Sequence, residues 1–319
     1  MTRSREITLA LAIAALYAAL AFAAPAFFTR ENFSDLFLAN FPVLLVAMGT
    51  TIVILTGEID ISVGSAFAVC GVLAGASAVA GVPLPFVVVL ACGAGAAVGA
   101  GNGALVAYGG LPSIVVTLAS MAILREGLRW ATQGAWIQNL PASFQWLGMS
   151  QAAFPVLAAS LVAVVQLALT WSATRVAAFR SLYATGSDPQ AARLAGIDTR
   201  LVTFAAFSAA GALTGLAALL NAVRFNQIPS NAGLGLEMKA IAAVVVGGAA
   251  VRGGRGSFTG TLLGVLLLAS VGPALVFLGI TSYWERAIHG AIVLTAVAAD
   301  AWRSRRVVTL PRRAAAESA

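Results

Sequence analysis

The chain has 319 residues, 60% of them hydrophobic and only 10% charged, with a mean hydropathy of +0.93. Soluble domains carry about 25% charged and 45–50% apolar residues, so this composition excludes a soluble globular protein and indicates an integral membrane protein. The net charge of +7 is no nucleic-acid footprint, because no basic residues interleave with aromatics and their placement follows membrane topology.

In chain order, ten apolar runs approach the roughly 20 residues needed to cross the hydrocarbon core: 7–28, 36–56, 61–81, 84–107, 112–131, 153–174, 201–222, 238–251, 257–277 and 284–302, of which 238–251 is short. The runs are continuous and rich in Ala, Leu, Val and Gly, not alternating, so a β-barrel is excluded. The expectation is an all-α membrane protein of about ten transmembrane helices in one domain, 1–319. The first run follows TRSRE and ends near AFAAPA, which offers cleavage sites, but it is about 20 residues long against the 7–15 of a signal peptide core and reads as a retained helix.

With the N-terminus inside, thirteen of the 19 basic residues fall on the cytosolic side: Arg3 and Arg5, Arg175, Arg180, Arg193 and Arg200 in the segment 172–200, Arg252 and Arg255, and five arginines in the basic tail 303–319. Both termini are therefore expected in the cytosol of a bacterial inner membrane. Cys70 and Cys92 lie within apolar runs and read as small buried hydrophobes. His289 stands without a carboxylate or Cys at ligand spacing and reads as a packed residue. Glycines recur one turn apart at Gly71/Gly75, Gly95/Gly99/Gly103, Gly211/Gly215 and Gly256/Gly260/Gly264, a spacing that lets helix backbones approach closely in lipid.

Polar residues within the runs mark where a solute path is sought, because lipid does not tolerate them. Asn102, Thr117 and Ser120 lie in the fourth and fifth runs; Gln133 and Trp136 follow the fifth; Asn226 and Glu237 flank the short eighth. An interior polar but poor in charge suits an uncharged polyhydroxylated solute. Glu58, Asp60, Glu126, Glu237 and Asp300 are placed near helix ends, which argues against proton coupling. Arg125–Glu126 reads equally as interfacial snorkelling or as a gate. The segment 227–239, with amides, glycines and a short helix, is where irregular backbone would line a cavity. Trp136 and Trp146 read first as an interfacial belt.

On the cytosolic side, Ser187-Asp188-Pro189 starts a short helix that Gly196 stops. Its Ala192, Leu194 and Ala195 need a partner to cover them. No phosphate-binding loop, nucleophile elbow, metal cluster or catalytic carboxylate pair is present, so the chain is expected neither to hydrolyse ATP nor to be an enzyme.

The stretches TGEIDISVGS at 56–65, GNGALVAY at 101–108, PSIVVTLAS at 112–120, YATGSDPQAARLAGI at 183–197, LEMKAIAAVVVGG at 236–248 and GSFTGTLLG at 256–264 resemble, in order, the permease family of bacterial ABC monosaccharide importers. Glu58 replaces the Gly usual before Ile-Asp. The resemblance implies the ABC importer permease architecture, a second permease copy or homologue, a cytosolic ATPase dimer that uses ATP-Mg, a periplasmic sugar-binding protein, no cofactor of the chain's own and no nucleic acid. It makes 172–200 the coupling element, through Gly186, Asp188, Ala192, Arg193 and Gly196. WIQNLP, QIPSNAGLGLEMKA and the 183–197 stretch are most similar to permeases for rhamnose and for the furanosyl signal autoinducer-two, with ribose-like sugars as the wider class. The alternative, an ion-coupled secondary carrier working alone, predicts that 172–200 is dispensable.

Overall fold

The computed structural model describes residues 2–281, 283–285, 287–295 and 298. Its helices are α1 (Thr2–Ala23), α2 (Arg30–Leu55), α3 (Val63–Val79), α4 (Leu84–Ala107), α5 (Ser113–Thr132), α6 (Phe154–Arg175), α7 (Ala177–Ser187), α8 (Pro189–Leu194), α9 (Thr199–Ala222), α10 (Leu236–Val246) and α11 (Phe258–Phe277). The described residues contain no β-strand, only one antiparallel bridge between Ile137 and Ile228.

Nine of the ten apolar runs coincide with helices here; the tenth, 284–302, is helical at 284, 285, 287–295 and 298, while its other residues and all of the tail 303–319 lie outside the described residues. Among the described residues, six helices are long and apolar enough to cross a membrane: α1, α2, α4, α6, α9 and α11. The other three differ for distinct reasons. The 20 residues of α5 include Arg125, Glu126 and Arg129. With 17 and 11 residues, α3 and α10 reach only about 26 and 17 Å at 1.5 Å per residue, short of a hydrocarbon core near 30 Å. Each is continued by irregular chain instead, 56–62 before α3 and 223–235 before α10. The segment 172–200 is also more ordered than a loop, since α7 occupies its centre.

The buried centre of the bundle is α2, whose residues from Leu44 to Leu55 are all inaccessible. Antiparallel to it runs α9, and α4 lies against α9. The glycine spacing explains how close they come. A Cβ on Gly95 would sit 2.1 Å from the Gly211 carbonyl oxygen, one on Gly99 2.1 Å from that of Phe207, and one on Gly215 2.2 Å from that of Ala91. The same device joins α10 to α11, where a Cβ on Gly264 would lie 2.1 Å from the Ala243 oxygen. Apolar side chains gain nothing by leaving lipid for each other, so backbone proximity is what holds these helices.

The glycine tracts alone do not establish an internal repeat; the element order recurs in two halves. A long helix, an irregular segment, a short helix and a long helix occur as α2–α4 and again as α9–α11. The short helix of each half packs on the long helix of the other, α3 on α9 and α10 on α2. The two irregular segments enter from opposite ends and meet where α3 and α10 begin: a Cβ on Gly64 would stand 2.6 Å from the Gly233 oxygen. At the periphery, α1 packs on α11, with Tyr17 and Ser270 hydroxyls 3.0 Å apart. His289 places Nε2 2.9 Å from the Leu268 carbonyl, so it is a packed residue as expected.

Candidate functional site

Three groups of functional side chains occupy distinct levels of the bundle. At the start of α3, Asp60 is buried and its carboxylate accepts from the Ser62 N–H at 2.8 Å and the Ser62 hydroxyl at 2.6 Å. The Asn102 amide of α4 donates to the Ser62 hydroxyl at 2.9 Å, and Ser120 of α5 donates to the Asn102 oxygen at 2.5 Å. Thr117 bonds back to the Ser113 carbonyl at 2.8 Å, and the Ser113 hydroxyl accepts from Ile59 N–H at 3.3 Å. Asn102, Thr117 and Ser120 are thus brought together, and with Ser113 they fix the segment 56–62 to α4 and α5. Buried polar groups are satisfied by one another here, the arrangement low dielectric demands. Asp60 bonds Ser62, the residue just before α3, while Glu58 stays partly exposed.

The second group lines a cavity of about 440 Å³, in the size range of small-molecule sites. Its wall joins Phe67 and Gly71 of α3, Asn221 of α9, Trp136, and the irregular stretch Arg224–Pro229 with Ala232. Trp136 and Asn226 both line this cavity, and Gln227, Ile228, Pro229 and Ala232 of the segment 227–239 contribute to its wall. The walls of this cavity are pinned by the Ile137–Ile228 bridge, with N–H to O distances of 3.0 and 2.9 Å, and by the Trp146 N–H on the Val223 carbonyl at 2.7 Å. Gln133 lies outside it: left-handed at φ 53°, it ends α5 and its amide bonds the Trp130 carbonyl. Glu237 also lies outside, with Oε2 buried against Gly64 and without a hydrogen-bond partner. Arg125 of α5 donates to the Ala232 carbonyl at 2.9 Å and so anchors the wall from outside. Glu126, contrary to the expectation of a helix-end position, lies within α5 and pairs with Arg129 at 3.4 Å on an exposed face.

The third group is at the opposite end of the bundle, around α8. Asp188 caps α8 as its sequence signature requires, accepting from Gln190 and Ala191 N–H at 2.9 and 3.0 Å, and Gly196 leaves at φ +82°. Arg193 is exposed, and Leu194 is 91% exposed. Ala192, expected on the face a partner covers, is instead buried within the chain at 4%. Gly186 of α7 presses against the end of α2: a Cβ there would fall 2.0 Å from the Leu55 oxygen and 2.5 Å from the Gly254 nitrogen. Gly254 N–H bonds that same Leu55 oxygen at 3.0 Å, and Gly253 at φ +86° lies over Gly57. Tyr183 of α7 donates to the Gly256 carbonyl at 3.2 Å, and burial raises its phenol above the usual pKa, so it stays a neutral donor. The N-terminal segment joins this end through Arg5 on the Gly248 carbonyl and Ser257 on Glu6.

Comparison with known proteins decides the family. The family model described as the branched-chain amino acid transport system / permease component matches residues 32–297. Autoinducer 2 import system permease proteins LsrC are similar over nearly the whole chain. That of Escherichia coli O9:H4 (strain HS) is 36% identical over 298 residues, covering 93% of this chain and 87% of the relative. That of Photorhabdus laumondii subsp. laumondii is 35% identical, covering 93% and 89%. That of Salmonella typhi is 36% identical, covering 93% and 86%. The chain belongs to this family of ABC transport permeases. No solved structure matches it.

In this permease the cavity contains residues the sequence reading did not select, Phe67, Asn221, Arg224 and Phe225, beside Gln227 of the segment 227–239. Their signal was present, since Asn221 to Gln227 place four polar groups directly after an apolar run, but which of them converge depends on how α3 packs on α9. The buried network of the permease carries its own test. Asn102→Leu removes both bonds that link Ser62 to Ser120, and stranding buried partners costs about 2 kcal/mol. The purified variant is expected to melt at lower temperature, and an unchanged melting temperature would remove the network from the account of α3 placement.

Proposed function

We propose that this permease moves a small, uncharged, polyhydroxylated solute into the cytoplasm by alternating access, driven by ATP-Mg hydrolysed in a partner ATPase dimer. The observation that supports this reading is the cavity wall. Phe67, Trp136 and Phe225 offer aromatic faces for the C–H side of a sugar ring, and Asn221, Asn226 and Gln227 offer amides for its hydroxyls. An amino-acid zwitterion would need an anion to meet its ammonium group, and the wall includes no Asp or Glu. The names of the three relatives above, autoinducer 2 permeases, favour a furanosyl signal, with rhamnose and ribose-like sugars as the same chemical class.

In this reading the end bearing α8 and the N-terminal segment faces the cytosol, and the cavity faces a periplasmic sugar-binding protein. The exposed Leu194 and Arg193 form the ATPase contact, α7 and α8 act as the coupling element, and a second permease copy or homologue completes the assembly. Differential packing of the two states is all this chain contributes to the work, since the energy is the partner's.

Uptake of labelled autoinducer-two, rhamnose and ribose into vesicles carrying the permease with its ATPase and binding protein tests the proposal. Uptake should require ATP and fall at least about 10-fold in Asp188→Ala/Arg193→Ala, because that pair loses the α8 cap and an exposed charge at the partner contact. Uptake that persists without ATP, follows an ion gradient and ignores this double substitution identifies the secondary carrier instead.

A further inference from the structure

We infer that Arg224 is a positioning residue that completes α2 at its internal proline and thereby sets the shape of the cavity wall. Pro42 sits inside α2 and has no N–H, so the helix cannot bond the Leu38 carbonyl one turn earlier. The missing donor comes from elsewhere: Arg224, just beyond the end of α9, donates Nη1 to that carbonyl. The two residues are 186 apart in sequence.

Two aromatic rings lie beside the guanidinium at this contact. Its carbon lies 5.7 Å from the Phe41 ring centre and 5.3 Å from that of Phe225, distances at which a cation is attracted to an aromatic face. Asp35, three residues before Leu38 on α2, provides the opposing charge. Phe41 itself is fully buried against Phe37 and Phe154.

Arg224 is at the same time a lining residue, between Asn221 and the Phe225–Pro229 stretch. One side chain therefore links the open Leu38 carbonyl of the central helix to the cavity wall. A Leu38 carbonyl that found its donor within α2 would leave the wall free to shift; this one is tied to it. Moving the 224–229 stretch inward or outward must either carry α2 with it or break the bond to Leu38. Arg224 thus acts on solute through the position of Phe225 and Asn226, not as a direct ligand.

The inference rests on the cavity being the solute site, and the test separates the two. Four chains are compared: the parent, Arg224→Met, Pro42→Ala, and both together, with Arg224→Lys as a fifth that keeps charge but not the fork. Pro42→Ala restores a backbone N–H to Leu38, which makes the arginine's donation redundant. In reconstituted uptake, Arg224→Met should raise the half-saturating solute concentration about 10-fold in the parent and less than about 3-fold in the Pro42→Ala background, with maximal rate per inserted protein little changed. Arg224→Lys should fall between parent and Arg224→Met.

Equal effects in the two backgrounds, or no effect in either, overturn the inference. The melting temperature of the detergent-purified chains is the second measurement, and it does not depend on transport. If the parent takes up none of the sugars, the proposed function fails while the melting cycle still tests the clasp: loss in Arg224→Met, restored by Pro42→Ala, supports it, and additive losses overturn it. Should Arg224→Met fail to accumulate, accumulation of the double variant supports the clasp and its equal failure overturns it.

Discussion

Gly186→Ala is expected to abolish uptake while leaving the permease inserted in the membrane. Position 186 is helical, and alanine is favoured over glycine in a helix by about 1 kcal/mol, so local propensity by itself predicts a gain. Packing reverses the sign. The added Cβ would stand 2.0 Å from the Leu55 oxygen, where real contacts do not fall below 3.0 Å, so α7 and the end of α2 must separate by about 1 Å. That separation breaks the three-way contact among α7, the end of α2 and the turn 252–254, and with it the Gly254 N–H bond to Leu55.

Overpacking of this kind costs about 1–3 kcal/mol, enough to shift an equilibrium between two states but not to unfold a bundle held mainly by α2, α4 and α9. Uptake should fall more than about 10-fold, the equivalent of 1.4 kcal/mol, with ATP consumption by the partner continuing. Gly253→Ala, which adds strain at φ +86° to a Cβ 2.6 Å from the Gly57 nitrogen, should do the same. Parent-level uptake by Gly186→Ala would mean that the α8 end does not transmit its movement through this junction.

Gly211→Ala carries the largest expected loss of stability. Here too alanine gains about 1 kcal/mol from helix propensity. Its Cβ would lie 2.1 Å from the Gly95 oxygen and 3.2 Å from the Gly99 Cα, both backbone atoms that cannot swing aside. Separating α9 from α4 removes close contact along the most extensive helix pair of the bundle, and α9 also supports α2 and α3. The net loss should be about 3 kcal/mol or more, at the upper end for overpacking, and is read as a fall in melting temperature and in the amount of protein recovered from membranes. Gly93→Ala on α4, where a Cβ meets nothing within 4 Å, is the control and should be neutral or slightly stabilising. Equal melting of the Gly211 and Gly93 variants would reject glycine-mediated packing as the basis of this pair.

The sequence by itself determined the class of the protein, nine of its helical runs, the cap at Asp188, the stop at Gly196 and its permease family. Each of these rests on a local quantity: transfer of single side chains from water to lipid, a carboxylate within reach of N–H groups two residues on, or an ordered set of short motifs. Glycine spacing predicted close approach, but which helices approach is a property of the assembled bundle.

Only the tertiary structure decided the rest. Asn102 reads from sequence as a pathway residue, and in the fold it joins Ser62 to Ser120. Ala192 reads as a face awaiting a partner, and in the fold it is covered by its own chain. Pro42 and Arg224 carry no mutual signal in the sequence, yet Arg224 completes the backbone of the helix that holds Pro42. These are pairwise facts between residues far apart in the chain. They are fixed by how buried carbonyls and hydroxyls must find donors once the helices have packed, and no single-residue preference encodes that choice.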